Sequence, residues 1–151
     1  MILAINTASD ENSIALYSDQ LQKEQVWNSY MTQSQELLPR IDKFLKSHNI
    51  KLSDLQAIAT YQGPGSYTGL RVGISVANAL GWSLDIPVIG IKNCYTATLP
   101  NCHKKNNHVA MKQCDNISAV NIAEQAYKVL TNKKLVGFTQ PVEPFYGSRL
   151  K

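Results

Sequence analysis

The sequence predicts an α/β fold in which a mixed, five-stranded sheet is flanked by helices. Three strand-like segments come first and two helix-plus-strand units follow, the order expected of an antiparallel meander continued by parallel crossovers. The chain has 151 residues, of which 44% are hydrophobic and 17% are charged. A chain of this length buries roughly 70% of its unfolded surface, so a single core can hold it together without disulfides.

Short runs of suitable side chains predict the meander. Residues 2–6 are apolar and end in polar residues, which indicates the first strand. Residues 13–18 suit a pleated surface and indicate the second strand. Residues 21–29 alternate loosely and indicate the third, which Asp19 and Gln20 connect tightly to the second.

The two crossover units are predicted from helical spacing and short apolar runs. Residues 33–48 carry apolar side chains at helical spacing, and Pro39 predicts a kink there because it removes a backbone hydrogen bond. Residues 56–61 predict a buried fourth strand, residues 68–84 a second helix and residues 87–91 a fifth strand. This element order is that of a ribonuclease-H-like lobe.

Beyond the fifth strand the pattern is weaker. Composition and spacing predict a short helix at 93–99, a polar loop at 101–107, a third helix at 117–130 and an extended tail at 141–151. We therefore expect an N-terminal lobe over residues 1–92 and a smaller C-terminal segment over residues 93–151.

Charge and composition limit the function classes. Residues 1–91 carry 6 basic and 8 acidic side chains and residues 92–151 carry 9 and 3, net charges of −2 and +6. The basic part could meet nucleic acid, but scattered lysines on a solvated surface are the favoured explanation. No apolar run approaches the roughly 18 residues of a membrane span, and the start lacks a charged leader. The three cysteines are too few and too odd in number for a secreted disulfide framework, so we expect a cytoplasmic protein. The group of Cys94, Cys102, His103, His108 and Cys114 has no CxxC and irregular spacing, so we expect no metal site.

A glycine-rich segment, GPGSYTGLRVG at residues 63–73, follows a predicted strand and opens a helix. The hydroxyl groups of its serine and threonine can cap the helix, and the free amides of the first turn favour an anion. The candidate phosphate loop consists of Gly63, Gly65, Ser66, Thr68 and Arg71. The segment lacks the Lys-Ser/Thr pair of a Walker A loop, and a capped strand-to-helix turn that binds no ligand is the favoured explanation.

The helix over residues 68–84 carries small residues every four positions: Gly69, Gly73, Ala77 and Gly81. Glycine inside a helix costs roughly 1 kcal/mol relative to alanine, so two internal glycines indicate a backbone that must approach closely. The same helix is apolar over most of its circumference, which indicates burial on more than one side. The sheet covers one side, and either the helix over residues 33–48 or a second chain covers the other.

Residues 63–91, GPGSYTGLRVGISVANALGWSLDIPVIGI, resemble the signature of the TsaB family, also called YeaZ. The opening MILAINTASDENSIALYS, the Leu37-Leu38-Pro39 helix and residues 53–58 are similar to the same family, and Glu143 to Arg149 resembles its terminal element loosely. The family belongs to the synthesis of threonylcarbamoyladenosine at position 37 of tRNA, and its members have two ribonuclease-H-like lobes of the actin-like class.

The resemblance implies a non-catalytic subunit that binds the catalytic subunit TsaD through helices 33–48 and 68–84. The expected partner-binding residues are Leu37, Ile41, Leu45, Gly69, Leu70, Gly73, Ile74, Ala77, Leu80 and Gly81. By the same resemblance the ATPase TsaE docks on the pair, ATP and Mg²⁺ belong to the partners, tRNA contact is indirect, and a homodimer uses the same helices. We expect Gly73→Arg or Ala77→Arg to abolish pairing without unfolding the chain. The alternative is a small nucleotide-binding enzyme that uses the loop over residues 63–69.

The sequence departs from the family pattern at three places. Too few residues follow Ile91 for a complete second lobe, so we expect a reduced one. Asn6 stands where the family usually has an aspartate, and its neutral amide is a poorer ligand for a hard cation. Gln33 stands where the family often has histidine. The short second lobe and Asn6 argue against independent nucleotide chemistry, because the nucleotide cleft needs two walls.

Overall fold

The structure, a computed structural model, describes residues 1–92, 117–133, 135, 137–138 and 140–145. The strands are β1 (Ile2–Asn6), β2 (Glu11–Tyr17), β3 (Gln22–Asn28), β4 (Ala57–Gly63) and β5 (Val88–Lys92). The helices are α1 (Gln33–Ser47), α2 (Tyr67–Leu84) and α3 (Ala119–Lys133), with a 3₁₀ turn at Leu52–Asp54. The helix expected at 93–99 and the loop expected at 101–107 lie outside the described residues.

The five strands form one mixed sheet in the order β3-β2-β1-β4-β5. β1 pairs antiparallel with β2, which pairs antiparallel with β3, and β4 runs parallel to both β1 and β5. The predicted meander with parallel crossovers is confirmed. Every residue of β1 and β4 is buried, as expected of central strands covered on both faces.

Side chains of β1 alternate between the two faces of the sheet. Leu3 and Ile5 belong to a cluster with the buried face of α1, whereas Ile2 and Ala4 belong to a cluster with α3. α1 continues past Pro39 to Ser47 as one helix. It packs its Leu37, Ile41, Phe44 and Leu45 on the sheet and lies beside α2.

α3 covers the face of the sheet opposite α1. Ile122, Ala123 and Ala126 are fully buried against the sheet, with contacts concentrated on β1 and β2. The sheet also binds the start of this helix, because Oγ of Ser13 accepts from the amide of Ala119 at 3.0 Å. The described C-terminal residues therefore share one hydrophobic core with the N-terminal lobe, and the division expected at residue 92 does not separate two cores.

A C-terminal strap, defined as Phe138 together with residues 140–145, runs beside α2 and the end of β4. Residues 141–145 form neither helix nor strand, as predicted for this part of the tail. Val142 packs against the cluster that contains Leu70 and Ile74 of α2. The strap thus covers one flank of α2 and α1 covers the other.

Candidate partner-binding surface and glycine-rich loop

The glycine-rich loop packs closely on the turn that follows β1. A Cβ on Gly65 would lie 2.6 Å from Cβ of Ala8, and a Cβ on Gly69 would collide with the carbonyl oxygen of Thr7. The amide of Ser66 donates to the carbonyl of Ala8 at 2.6 Å, and Oγ1 of Thr7 donates to the carbonyl of Gly69 at 2.7 Å. Because these two glycines have no side chain, the turn that contains Thr7 and Ala8 can lie directly against the loop.

Ser66 caps α2, as the sequence predicts. Its Oγ accepts from the amide of Gly69 at 3.3 Å, and its carbonyl accepts from the amide of Leu70. Arg71 lies over the ring of Tyr67, with its guanidinium carbon 4.0 Å from the ring centroid. The candidate phosphate loop is thus a capped turn in which Ser66 and Gly69 amides are already bonded, and nucleotide binding there stays a prediction.

Asn6 binds two parts of the chain at the end of β1. Its Oδ1 accepts from the amide of Ala8 at 3.1 Å, and its Nδ2 donates to the carbonyl of Ile117 at 2.5 Å. Only 6% of Asn6 is exposed. The residue therefore joins the β1–β2 turn to the segment that leads into α3, a role that needs both a donor and an acceptor.

The small residues of α2 face the chain's own sheet. A Cβ on Gly73 would collide with Oγ1 of Thr7, and one on Gly81 would collide with Cγ2 of Val88. Ala77 is fully buried. A close neighbour is present, as the sequence predicts, but at Gly73 and Gly81 the first atoms met belong to the side chains of Thr7 and Val88 rather than to a backbone, and both lie in the same chain.

Most of the other residues that the sequence predicts to bind a partner are also buried within this chain. Five are at most 4% exposed: Leu37, Ile41, Leu45, Leu70 and Ile74. Only Leu80 is half-buried. The expected test variants Gly73→Arg and Ala77→Arg therefore probe the fold, since an arginine at either position would have to displace the sheet.

A different set of residues forms the outer face, defined as the exposed side of α1 and α2. Leu38 on α1 is 50% exposed and Trp82 on α2 is 74% exposed. Between Arg71 and Trp82 the exposed positions of α2 are the small residues Ser75 and Ala79. Helical spacing identifies these positions as the side opposite Gly73 and Ala77, but which side meets solvent depends on the sheet and α1.

The turn before α1 exposes two further large side chains that the sequence pattern did not single out. Tyr30 is 77% exposed and Met31 is 94% exposed, and Met31 has a φ of 62°. Within the described part of the chain, no three His, Cys, Asp or Glu side chains are grouped to hold a metal ion. Its helices are also too short or too polar to cross a membrane.

Comparison with known proteins relates this arrangement to a family. The family model described as "TsaD: tRNA N6-adenosine threonylcarbamoyltransferase" matches residues 31–128, more than half of the chain. The tRNA threonylcarbamoyladenosine biosynthesis protein TsaB of Escherichia coli K12 is 35% identical over 95 residues, which are 63% of this chain and 41% of that protein. The chain belongs to the TsaB (YeaZ) family.

Two further members of the TsaB family are similar to this chain over a comparable share of its length. TsaB of Bacillus subtilis 168 is 35% identical over 107 residues, 68% of this chain and 45% of that protein. The solved structure of YeaZ from Pseudomonas aeruginosa aligns with a TM-score of 0.59 and 30% identity, covering 61% of this chain and 43% of that one. The chain spans less than half the length of these TsaB relatives, and its actin-like, ribonuclease-H-like lobe is confirmed.

Proposed function

We propose that this chain is a subunit of the machinery that makes threonylcarbamoyladenosine in tRNA, and that it binds a TsaD-type catalytic subunit. Its relatives are named as biosynthesis proteins of that modified nucleoside, and the matching family model is that of the threonylcarbamoyltransferase. The partner carries ATP and Mg²⁺, TsaE docks on the pair, and contact with tRNA is indirect. This chain contributes a binding surface and no catalytic residue.

The exposure of Trp82 and Leu38 on the outer face is the observation that carries the proposal. Large apolar side chains in contact with water favour association, and tryptophan is enriched among the residues that dominate binding energy. Ser75 and Ala79 let the backbone of a partner helix approach α2. The proposed interface therefore uses the two expected helices through different residues.

Asn6 supports the non-catalytic part of the proposal. Both polar atoms of its amide are bonded within the chain, to Ala8 and to Ile117. A neutral amide in this position is a poor ligand for a hard cation, and here it serves the fold. The chemistry of the modification then belongs to the partner.

Size-exclusion chromatography with light scattering tests the proposal. The chain is measured alone and mixed with the TsaD protein encoded in the same genome. We expect a 1:1 complex, formed at the expense of any homodimer because both use the outer face. A chain that stays separate from TsaD at micromolar concentration contradicts the proposal.

Surface variants locate the interface. We expect Leu38→Asp and Trp82→Asp each to weaken TsaD binding by at least tenfold, because a carboxylate in an apolar contact loses its hydration. Val26→Asp is the matched control, since Val26 is 51% exposed but lies on the edge strand β3. Calorimetric titration measures all three, and equal affinities across the set place the interface elsewhere.

A further inference from the structure

The strap is bound through its main chain. Nδ2 of Asn78 donates to the carbonyl of Val142 at 2.9 Å, and its Oδ1 accepts from the amide of Val142 at 2.9 Å. One side-chain amide thus pairs with both polar main-chain groups of a single residue. Such pairing recognises an extended backbone and is indifferent to the side chain that the backbone carries.

Two further residues bind the strap in the same manner. Nε2 of Gln62 donates to the carbonyl of Glu143 at 2.6 Å, and the carbonyl of Gln62 accepts from the amide of Phe145 at 2.6 Å. Oδ1 of Asp85 accepts from the amide of Phe138 at 3.2 Å. The hydrogen bonds that hold the strap at the end of α2, at its middle and at the end of β4 therefore all go to its main chain, while the side chain of Val142 packs on the hydrophobic cluster.

Two glycines leave room for this arrangement. A Cβ on Gly90 would lie 2.8 Å from Cγ of Gln62, so a side chain on β5 would displace the residue that binds the strap. Gly63 has a φ of +117°, and a Cβ there would collide with the carbonyl oxygen of Phe145. Phe145, at the end of the strap, thus lies directly against Gly63, the last residue of β4.

We propose that Gln62, Asn78 and Asp85 form a groove that binds an extended polypeptide through its main chain, occupied by the strap of this chain. Occupancy holds α2 in the position in which its outer face binds the partner subunit. The second statement rests on the proposed function. Its physical reason is that the strap is bonded to the middle of α2 and to the residue that ends it, and packs on the cluster that contains Leu70 and Ile74, on the flank that α1 does not cover.

Two substitutions in the full-length chain separate main-chain from side-chain recognition. Val142→Pro removes the amide hydrogen that Asn78 accepts and keeps an apolar side chain, whereas Val142→Ala keeps the amide and shortens the side chain. Hydrogen exchange measured by NMR reports on the strap through the amide of Phe145. We expect at least tenfold faster exchange in Val142→Pro and Asn78→Ala than in Val142→Ala.

Asn121→Ala is the matched control for Asn78→Ala, because Asn121 is an exposed asparagine on α3, whereas the strap is bonded to Gln62, Asn78 and Asp85. We expect exchange of the Phe145 amide within twofold of the wild type in this variant. If Val142→Ala loosens the strap as much as Val142→Pro, recognition runs through the side chain and the groove assignment is wrong. Unchanged protection in Asn78→Ala overturns it as well.

The same four variants test the effect on the partner. We expect Val142→Pro and Asn78→Ala to bind TsaD at least fivefold more weakly, and Val142→Ala and Asn121→Ala within twofold of the wild type. A released strap with unchanged affinity overturns the coupling and leaves the groove standing. A wild-type chain that does not bind TsaD overturns the proposed function instead, and the exchange data still decide whether the groove exists.

Discussion

At the scale of single residues, Asn6 shows why an amide can be needed where a carboxylate would be expected from the family resemblance. The side chain is buried, accepts from the amide of Ala8 and donates to the carbonyl of Ile117. An ionised aspartate could keep the first bond but has no hydrogen for the second. It would also bring a negative charge against a carbonyl oxygen away from water.

Asn6→Asp should therefore destabilise the chain by about 1–3 kcal/mol at pH 7, the usual cost of an unsatisfied buried group. The loss should shrink at pH values low enough to protonate the new carboxyl group, since the acid can donate to Ile117. Urea unfolding at pH 7 and pH 4 measures both effects. Asn121→Asp, an exposed asparagine in the first turn of α3, is the control and should change stability by less than about 0.5 kcal/mol.

At the scale of the element, α2 shows what spacing can and cannot tell. Its glycines correctly predict a close neighbour, yet spacing alone does not say whether the neighbour is in the same chain. The structure supplies Thr7 and Val88 as those neighbours. α1 and the strap cover the two flanks of α2, so only its outer face stays exposed to solvent.

The start of α1 depends on a cluster of polar side chains around Glu36. Hydrogen bonds from Thr32 and Arg40 hold the pKa of Glu36 below its usual value near 4.5, with a further contribution from Ser29. The folded state thus favours the ionised carboxyl group. The stabilisation is present above the unfolded pKa and is lost as pH falls through the lower, folded pKa.

We therefore expect wild type to be more stable than Glu36→Gln at neutral pH, with the difference declining at acid pH. Thermal unfolding from pH 7 to pH 3 measures the difference. In a Thr32→Val background, which removes the hydroxyl that contributes most, the effect of Glu36→Gln should be smaller. A difference that is constant with pH would show that the carboxyl group is not responsible.

At the scale of the whole molecule, α3 packs against segments that are far apart in the chain, and we expect them to unfold as one unit. Its alanines lie flat on the sheet, and its first turn is bonded to Ser13 and Glu24. Removing this face would expose Ile2, Ala4 and Ala15 together. α3 thus completes the hydrophobic core of the first lobe.

Ala126→Asp should consequently unfold or strongly destabilise the whole chain, by more than about 3 kcal/mol, because it buries a charge among apolar side chains. Lys128→Asp, an exposed position on the same helix, should have little effect. Native-state hydrogen exchange gives the second measurement, and amides of α3 and β1 should open with the same free energy. If the amides of α3 open at a much lower free energy than those of β1, the two elements do not unfold together and the expectation is wrong.

The sequence alone determined the succession of strands and helices along the chain, the antiparallel meander followed by parallel crossovers, the boundaries of α1 and α2 to within one residue, the capped glycine-rich turn and the family resemblance. These follow from local spacing, from turn chemistry and from side chains that must be buried. The tertiary structure alone decided which side of α2 is exposed, that Asn6 binds the segment before α3, and where Gln62 and Asn78 place the strap. Gln62 and Asn78 are polar residues in an apolar strand and an apolar helix, which indicates that each needs a hydrogen-bonding group opposite it. Which group that is depends on contacts between residues more than 60 positions apart, and no local sequence pattern encodes such contacts.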